Sequence, residues 1–320
     1  MSRPVGSADR RWSEDFPETT MASVGVIGAG VMGGRAAETL AAAGHAVCVF
    51  DVVAAAARRL AGAGIAALPS PAEVARTADV VLMYLPGPRE VAECVAGAGG
   101  LLTTARAGTV VVDQSTVDPE TSKRMAAIAR ATSVGYLDAP VLGRPAMVGK
   151  WALVVGGHAD DVATCAPVLQ ALAANVFHIG PSGAGNQVKL LNQLMFGAIN
   201  AMTAEMMAIA ERVGVPPKLL YETITASQAG TVSNLFRELG ARIAADDYRD
   251  PTFSVDLLVK DVSLAAEMAR VHGAPPILAR SVEFLNEAAR AQGLGSLDTA
   301  VMWKCYARFW ERSDPVSRAS

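Results

Sequence analysis

Residues Val24 to Asp51 constrain the fold more than any other stretch of this 320-residue chain. Val24, Val26 and Ile27 form a short apolar run, and Gly28-Ala29-Gly30-Val31-Met32-Gly33 follows. Ala36 to Ala43 is made of strong helix formers and stops at Gly44. A second apolar run, Ala46 to Phe50, closes on Asp51, 18 residues past the third glycine. The order is strand, glycine turn, helix, strand, acid. In that order Gly28 permits a tight turn, Gly30 lets phosphates approach the backbone, and Gly33 lets the helix pack close on the strand. The amides that open the helix face the anion. The pattern predicts a dinucleotide site on Gly28, Ala29, Gly30, Val31, Met32 and Gly33. Asp51 would accept from ribose hydroxyls and repel a 2′-phosphate, and no Arg follows it directly. NAD is the expected cofactor, with NADP less favoured.

The alternation of short apolar runs and helical segments continues as far as residue 182. Helices are expected at Ala54–Ala61, Pro71–Thr77, Pro119–Arg130 and Asp160–Ala173, and strands at Ile65–Ala67, Asp79–Leu85, Thr109–Asp113, Val134–Pro140, Trp151–Gly157 and Asn175–Ile179. Pro86-Gly87-Pro88 breaks the chain at the carboxyl end of one strand, where open parallel sheets bind ligands. Ser115 and Thr116 precede Asp118-Pro119, an N-cap and N1 pair, and so stand beside the unpaired amides of a helix start. Capping chemistry alone also accounts for them.

Gly183 to Gly214 then runs without proline and with helical apolar spacing, a single helix of roughly 45 Å at 1.5 Å per residue. Leu190, Leu191, Leu194, Met195, Ala198, Met202 and Ile209 are its expected core face, and Lys189, Asn192, Gln193, Phe196, Asn200 and Thr203 its other face. Lys189, Asn192 and Gln193 share one side at i, i+3 and i+4. A cation in the opening turns opposes the helix dipole, which disfavours its charged form and suits a proton donor or acceptor. Only helices are expected afterwards: Lys218–Thr225, Val232–Leu239, Val255–Val271, Pro276–Ala291 and Leu297–Arg312. The expected architecture is an α/β, Rossmann-like doubly wound parallel sheet followed by an all-α domain, joined by a long interdomain helix. Its parts are a flexible extension over 1–22, a dinucleotide-binding domain over 23–182, a helical domain over 183–312 and a tail over 313–320. Met21, just before the first strand, is an alternative start.

Composition excludes several classes. Hydrophobic residues make up 51% and charged residues 18%, which suits a well-buried globular enzyme. A net charge of −3 offers no basic field for nucleic acid. Gly, Arg, Glu or Lys interrupts every apolar run short of about 18 residues, so no membrane span is expected. The dispersed Cys48, Cys94, Cys165 and Cys305 suggest neither disulfides nor a metal site, and a cytoplasmic setting is the default. His45, His158, His178 and His272 lack ligand spacing to one another or to cysteine, so no metal is expected.

The ordered segments VGVIGAGVMGGRAAETLAAAG, VVLMYLPGP, VVDQSTVDPETSKRMA, YLDAPVLGRPAMVGKWALVVGG, GPSGAGNQVKLLNQLMFGAINAMTAE and FSVDLLVKDVSLA together resemble the β-hydroxyacid dehydrogenase family, the 3-hydroxyisobutyrate dehydrogenase-like enzymes. The resemblance covers Val24 to Arg312. It implies Lys189 as catalytic general acid/base and Asn192 as its orienting partner. It implies Ser115 and Thr116 between cofactor and substrate carboxylate, Gly143 in the loop that holds that carboxylate, and Leu85, Pro86 and Lys260 near the cofactor. It also implies a homodimer or homotetramer.

Two positions depart from the family pattern. Leu142-Gly143-Arg144 stands where a serine and two glycines are usual, which removes a hydroxyl and adds a guanidinium suited to bidentate pairing with an anion. Arg144 equally suits pairing with a surface acid. Gln193 replaces a common second asparagine, and with Arg144 it is assigned to substrate binding. The resulting expectation is reversible, NAD-dependent oxidation of a small 3-hydroxy acid to its semialdehyde. Alternatives are reduction of tartronate semialdehyde or a sulfonated three-carbon analogue, an imine reductase, or a non-catalytic NAD-binding sensor.

Overall fold

The structure, a computed structural model, describes residues 21–227, 233–274 and 276–306. Nearly all of the expected extension, and the whole of the expected tail, lie outside them. The described chain separates into two compact units, one ending at Lys189 and one beginning at Leu190.

In the first unit, β1 (Ser23–Ile27), α1 (Val31–Ala42), β2 (Ala46–Phe50), α2 (Ala54–Arg58), β3 (Ala66–Ala67) and α3 (Pro71–Thr77) lead into β4 (Val80–Met83). Then come α4 (Pro88–Ala96), β5 (Val110–Asp113), α5 (Pro119–Ala131) and β6 (Gly135–Asp138). These strands are all parallel, in the order β3-β2-β1-β4-β5-β6, the doubly wound dinucleotide-binding order. Each inner strand is apolar on both faces because both are covered. Val24, Val26, Val80, Leu82, Val110 and Val112 pack in a core that includes residues of α1 and of a later helix, Ala159–Leu172. Ile27, Val81, Met83 and Val111 pack in a second core with residues of α3, α4 and α5.

The sheet is not parallel throughout. After β6 come β7 (Val141–Leu142), β8 (Trp151–Gly156), α6 (Ala159–Leu172) and β9 (Ala173–Gly180). β8 runs antiparallel to both β6 and β7 and parallel to β9. Sequence reading missed β7, which is two residues long and carries no periodicity. It also missed α4, because Pro88 reads as a breaker although it occupies the first helical turn, where its lack of an N–H does no harm.

One helix, α7 (Ala184–Arg212), begins in the first unit and continues into the second. The second unit adds α8 (Pro217–Ser227), α9 (Asn234–Ala245), α10 (Val255–Val271) and α11 (Ile277–Ala289). Ser233 and Ser254 cap α9 and α10 by accepting from Phe236 and Leu257 N–H. Of the expected helix at Leu297–Arg312, the described part is a 3₁₀ turn at Thr299–Val301 followed by helix over 302–306.

The expected core face of α7 is only partly right: Leu190 is buried and Leu194 and Ala198 are half-buried, but the larger residues further along are not. Leu191, Met195, Met202 and Ile209 are 58, 62, 56 and 44% exposed, whereas Gln193, Asn200 and Thr203 are buried. The buried face combines these polar residues with Leu190, Gly197, Ala201, Ala204 and Ala208. Small residues win because the neighbouring helices approach too closely for large ones. A Cβ at Gly197 would stand 2.9 Å from Val282 of α11 and 3.0 Å from Val262 of α10. Hydrophobicity selected the face with the larger side chains; packing selected the face with the smaller ones.

Candidate active site

The carboxyl ends of β1 and β2 carry the glycine turn and its acid. Gly28 has φ +91, and a Cβ there would lie 2.3 Å from the Tyr84 carbonyl oxygen. A Cβ on Gly33 would lie 1.8 Å from the Gly28 carbonyl oxygen. At Gly30 a Cβ would meet nothing within 4 Å. Gly28 and Gly33 are thus required by the protein's own packing, and Gly30 leaves an open face at the start of α1. Gly30 is the N-cap and supplies no side-chain acceptor, so the first-turn amides at Val31 and Met32 are presented to that face. The arrangement fits a dinucleotide pyrophosphate.

Asp51 is fixed by two backbone donors. Its Oδ2 accepts from Ala29 N–H and its Oδ1 from Val53 N–H, both at 2.7 Å. Arg59 holds the next peptide unit, its Nη2 donating to the Ala29 carbonyl at 3.0 Å. Val31, Val52 and Val53, beside the glycine turn and the acid, are exposed.

At the ends of β4 and β5, Leu85 N–H donates to Ser115 Oγ at 2.9 Å, and Ser115 N–H donates to Asp113 Oδ1 at 2.9 Å. Tyr136 of β6 donates its hydroxyl to Asp113 Oδ2 at 2.9 Å. Burial, then the Asp113 charge, push the Tyr136 hydroxyl well above its ordinary pKa, so it stays a donor. Ser115 is therefore buried in a bonded chain that ties the ends of β4 and β5 to β6, while Thr116 beside it is half-buried and Pro86 is exposed.

The end of β6 organises the start of α7. Asp138 is fully buried, and its Oδ1 and Oδ2 accept from Gly183 and Asn186 N–H at 2.7 and 2.9 Å. Burial pushes its carboxyl up from 3.8 to about 7, against the pull of those two donors. Asn186 bonds onward, accepting from Val117 N–H at 3.1 Å and donating to Ser122 Oγ at 3.1 Å. Three residues along α7, Lys189 Nζ donates to the Val141 carbonyl at 2.9 Å. The loop after Val141 is held by Trp151: its Nε1 donates to the Arg144 carbonyl at 2.8 Å, and a Cβ on Gly143 would lie 2.5 Å from the indole. Arg144 is half-buried.

The remaining predicted residues belong to the second unit. Asn192 is exposed and donates to Gln193 Oε1 at 3.4 Å. Gln193 is buried, and its Nε2 donates to Asp261 Oδ2. Lys260 Nζ lies 2.9 Å from Asp261 Oδ1, an ion pair outside hydrogen-bond geometry. A cavity of about 630 Å³ in this unit is lined by Met202, Met206, Phe236 and Leu285 among others, and by none of the predicted site residues.

Sequence reasoning missed Asp138, Asn186 and Arg59. Asn186 and Asp138 lie in stretches already singled out, but the bonds joining them span 48 residues, and no local spacing reveals them. Arg59 lies eight residues past Asp51, inside the next helical segment. Its length lets it reach back to the glycine turn.

Residues 23–180 match the family model for the NAD-binding domain of 6-phosphogluconate dehydrogenase, and residues 183–306 match that for the NAD-binding of NADP-dependent 3-hydroxyisobutyrate dehydrogenase. The 3-hydroxyisobutyrate dehydrogenase of Pseudomonas aeruginosa is 34% identical over 296 residues, covering 89% of this chain and 99% of that protein. This chain belongs to the β-hydroxyacid dehydrogenase family. Another relative, the 2-(hydroxymethyl)glutarate dehydrogenase of Eubacterium barkeri, is 32% identical over 297 residues, 92% of this chain and 96% of that protein. The solved 3-hydroxyisobutyrate dehydrogenase of Salmonella typhimurium superposes with a TM-score of 0.82 at 30% identity, covering 88% of this chain and 99% of that one. This β-hydroxyacid dehydrogenase is an NAD(P)-binding oxidoreductase.

Proposed function

We propose that the protein oxidises a small 3-hydroxy acid of the 3-hydroxyisobutyrate type to its semialdehyde, reversibly, with NAD preferred over NADP. The observation that carries the reading is Lys189, held at 2.9 Å from the Val141 carbonyl at the head of the Val141–Arg144 loop. When bound, the nicotinamide accepts the carbon-bound hydride. Gly30 and the amides of Val31 and Met32 would hold the pyrophosphate, and Asp51 the ribose hydroxyls. Asp51, already accepting two amides, presents its negative charge there and disfavours a 2′-phosphate. Lys189 takes the hydroxyl proton on oxidation and returns it on reduction. Amides of the loop at Gly143, with Ser115 and Thr116, would hold the carboxylate, and Asn192 orients substrate and lysine. Lys260 is assigned to the cofactor.

A sulfonate or a second anionic group on the substrate is favoured by Arg144, which replaces a neutral residue in the loop; tartronate semialdehyde, with one carboxylate, is the alternative among the monocarboxylates. The exposed stripe Leu191, Met195, Met202 and Ile209 on α7 supports assembly as a homodimer or homotetramer. None of the four cysteines forms a disulfide, in keeping with a cytoplasmic setting.

The test is the initial rate of NADH formation at alkaline pH across 3-hydroxyisobutyrate, glycerate, serine and a sulfonated analogue, repeated with NADP and with Arg144→Ala. One substrate turned over with NAD supports the reading. A rate that collapses in Arg144→Ala identifies a second anion, and no turnover with any of them contradicts the reading.

A further inference from the structure

Lys189 and its acceptor are fixed to each other through one short piece of chain. Asp138 ends β6, and Val141 begins β7 three residues later. The Asp138 carboxylate caps α7 from 45 residues upstream, giving one oxygen to Gly183 N–H and the other to Asn186 N–H. From Asn186 the helix runs three residues, less than one turn, to Lys189, whose Nζ returns to the Val141 carbonyl. Sequence, helix and strand end therefore close a ring: Asp138 to α7, α7 to Lys189, Lys189 to Val141, and back along the chain.

The ring has little slack. A Cβ on Gly156 would stand 2.5 Å from Asp138 Oδ1, and one on Gly185 would stand 3.0 Å from Oδ2, so bare backbone encloses the carboxylate on both sides. Where it is ionised, above about pH 7, a carboxylate at a helix N-terminus also offsets the helix dipole that a lysine six residues in would otherwise oppose. An ordinary capping side chain comes from the residue just before its helix. This one comes from the strand end that also leads to the lysine's acceptor.

We propose that Asp138 is the positioning residue for Lys189, setting the placement of its amine by pinning the first turn of α7 to the β6–β7 segment. The catalytic part of this proposal rests on the reading of Lys189 as the proton-transferring group. Asp138→Asn keeps the shape but sets an NH2 group against one of the two amides, so one bond of the cap is lost.

The test pairs a measurement that needs no substrate with one that does. The intact protein is labelled with limiting acetic anhydride, and acetylation at each lysine is followed by mass spectrometry, in wild type and Asp138→Asn. Lys189 should label at least roughly threefold faster in the variant, as a freed amine does, while Lys123 and Lys218 label as before. The affinity for NAD should be unchanged, and kcat should fall roughly 10- to 100-fold, as expected for a misplaced catalytic group. In a Lys189→Ala background Asp138→Asn should lower kcat no further. If Asp138→Asn does not fold, Asp138→Ala removes the carboxylate without that clash and takes the same measurements. Unchanged labelling of Lys189 overturns the proposal, as does kcat within twofold of wild type. Faster labelling in a protein whose wild type turns over no hydroxy acid supports the positioning and removes the dehydrogenase reading instead.

Discussion

Trp151 Nε1 donates to the Arg144 carbonyl at 2.8 Å, and Gly143 lies against the same indole too closely for any Cβ. The loop assigned to the substrate carboxylate is thus fixed by a buried side chain of β8, not by its own sequence. Trp151→Phe keeps most of the packing and removes the donor, a loss of about 1 kcal/mol for a hydrogen bond of this kind. Substrate KM should rise about fivefold with KM for NAD unchanged, measured by steady-state kinetics varying each in turn. Equal KM values for substrate in both proteins would contradict the assignment of this loop.

The three glycines of the dinucleotide turn should separate into two classes. Gly33→Ala places a Cβ 1.8 Å from backbone and should lower the melting temperature by several degrees, about 1–3 kcal/mol for overpacking. Gly30→Ala meets nothing in the protein and should leave the melting temperature unchanged, yet weaken NAD at least roughly tenfold by obstructing the phosphate approach. Thermal melts and NAD titrations of the two variants decide this.

Asp138 gives the stability a dependence on pH with a defined sign. Its folded carboxyl is raised from 3.8 to about 7, first by burial and also by Asp113 across β5, while the Gly183 and Asn186 amides of α7 oppose the rise. Tyr136 faces Asp113 as a neutral donor, and Gly156 of β8 contributes no charge. A raised acid binds its proton more tightly when folded, so its contribution is full below about 4 and is lost as pH rises through 7. Wild type should therefore lose stability relative to Asp138→Asn between about pH 4 and 7, by up to about 1.4 kcal/mol per pH unit inside the window. Chemical denaturation of both proteins at each pH measures it; parallel curves would contradict the shift.

The exposed apolar stripe of α7 predicts assembly. Leu191, Met195, Met202 and Ile209 each expose on the order of 100 Å², a useful part of the roughly 800 Å² per partner that a stable interface buries. Met195→Glu with Met202→Glu should convert the assembly to monomer at micromolar concentration, read by light scattering after size exclusion. A wild type that is monomeric, or a variant of unchanged mass, would contradict it.

What was legible in the sequence was local. The strand–glycine–helix–strand–Asp51 order identified the sheet because each glycine answers to a nearby steric demand, and Asp118-Pro119 marked the start of α5 because a cap is a three-residue event. Asp138 and Asn186 were not legible in their roles, since their bonds join residues 48 apart. The face of α7 was misread for a related reason. Its burial is decided by Val262 and Val282 arriving against Gly197, and nothing within the helix announces how close they come. Gln193, assigned to substrate, also donates to Asp261, 68 residues away, a bond that no local spacing announces.

Transfer of the substrate proton by Lys189 is tested by the single-turnover rate of NADH formation by wild type and Lys189→Ala at saturating NAD and hydroxy acid. The expected result is a fall of about 10²- to 10⁴-fold, the usual worth of a positioned acid or base, with NAD affinity unchanged. A Lys189→Ala protein that forms NADH within a few-fold of the wild-type rate would contradict it.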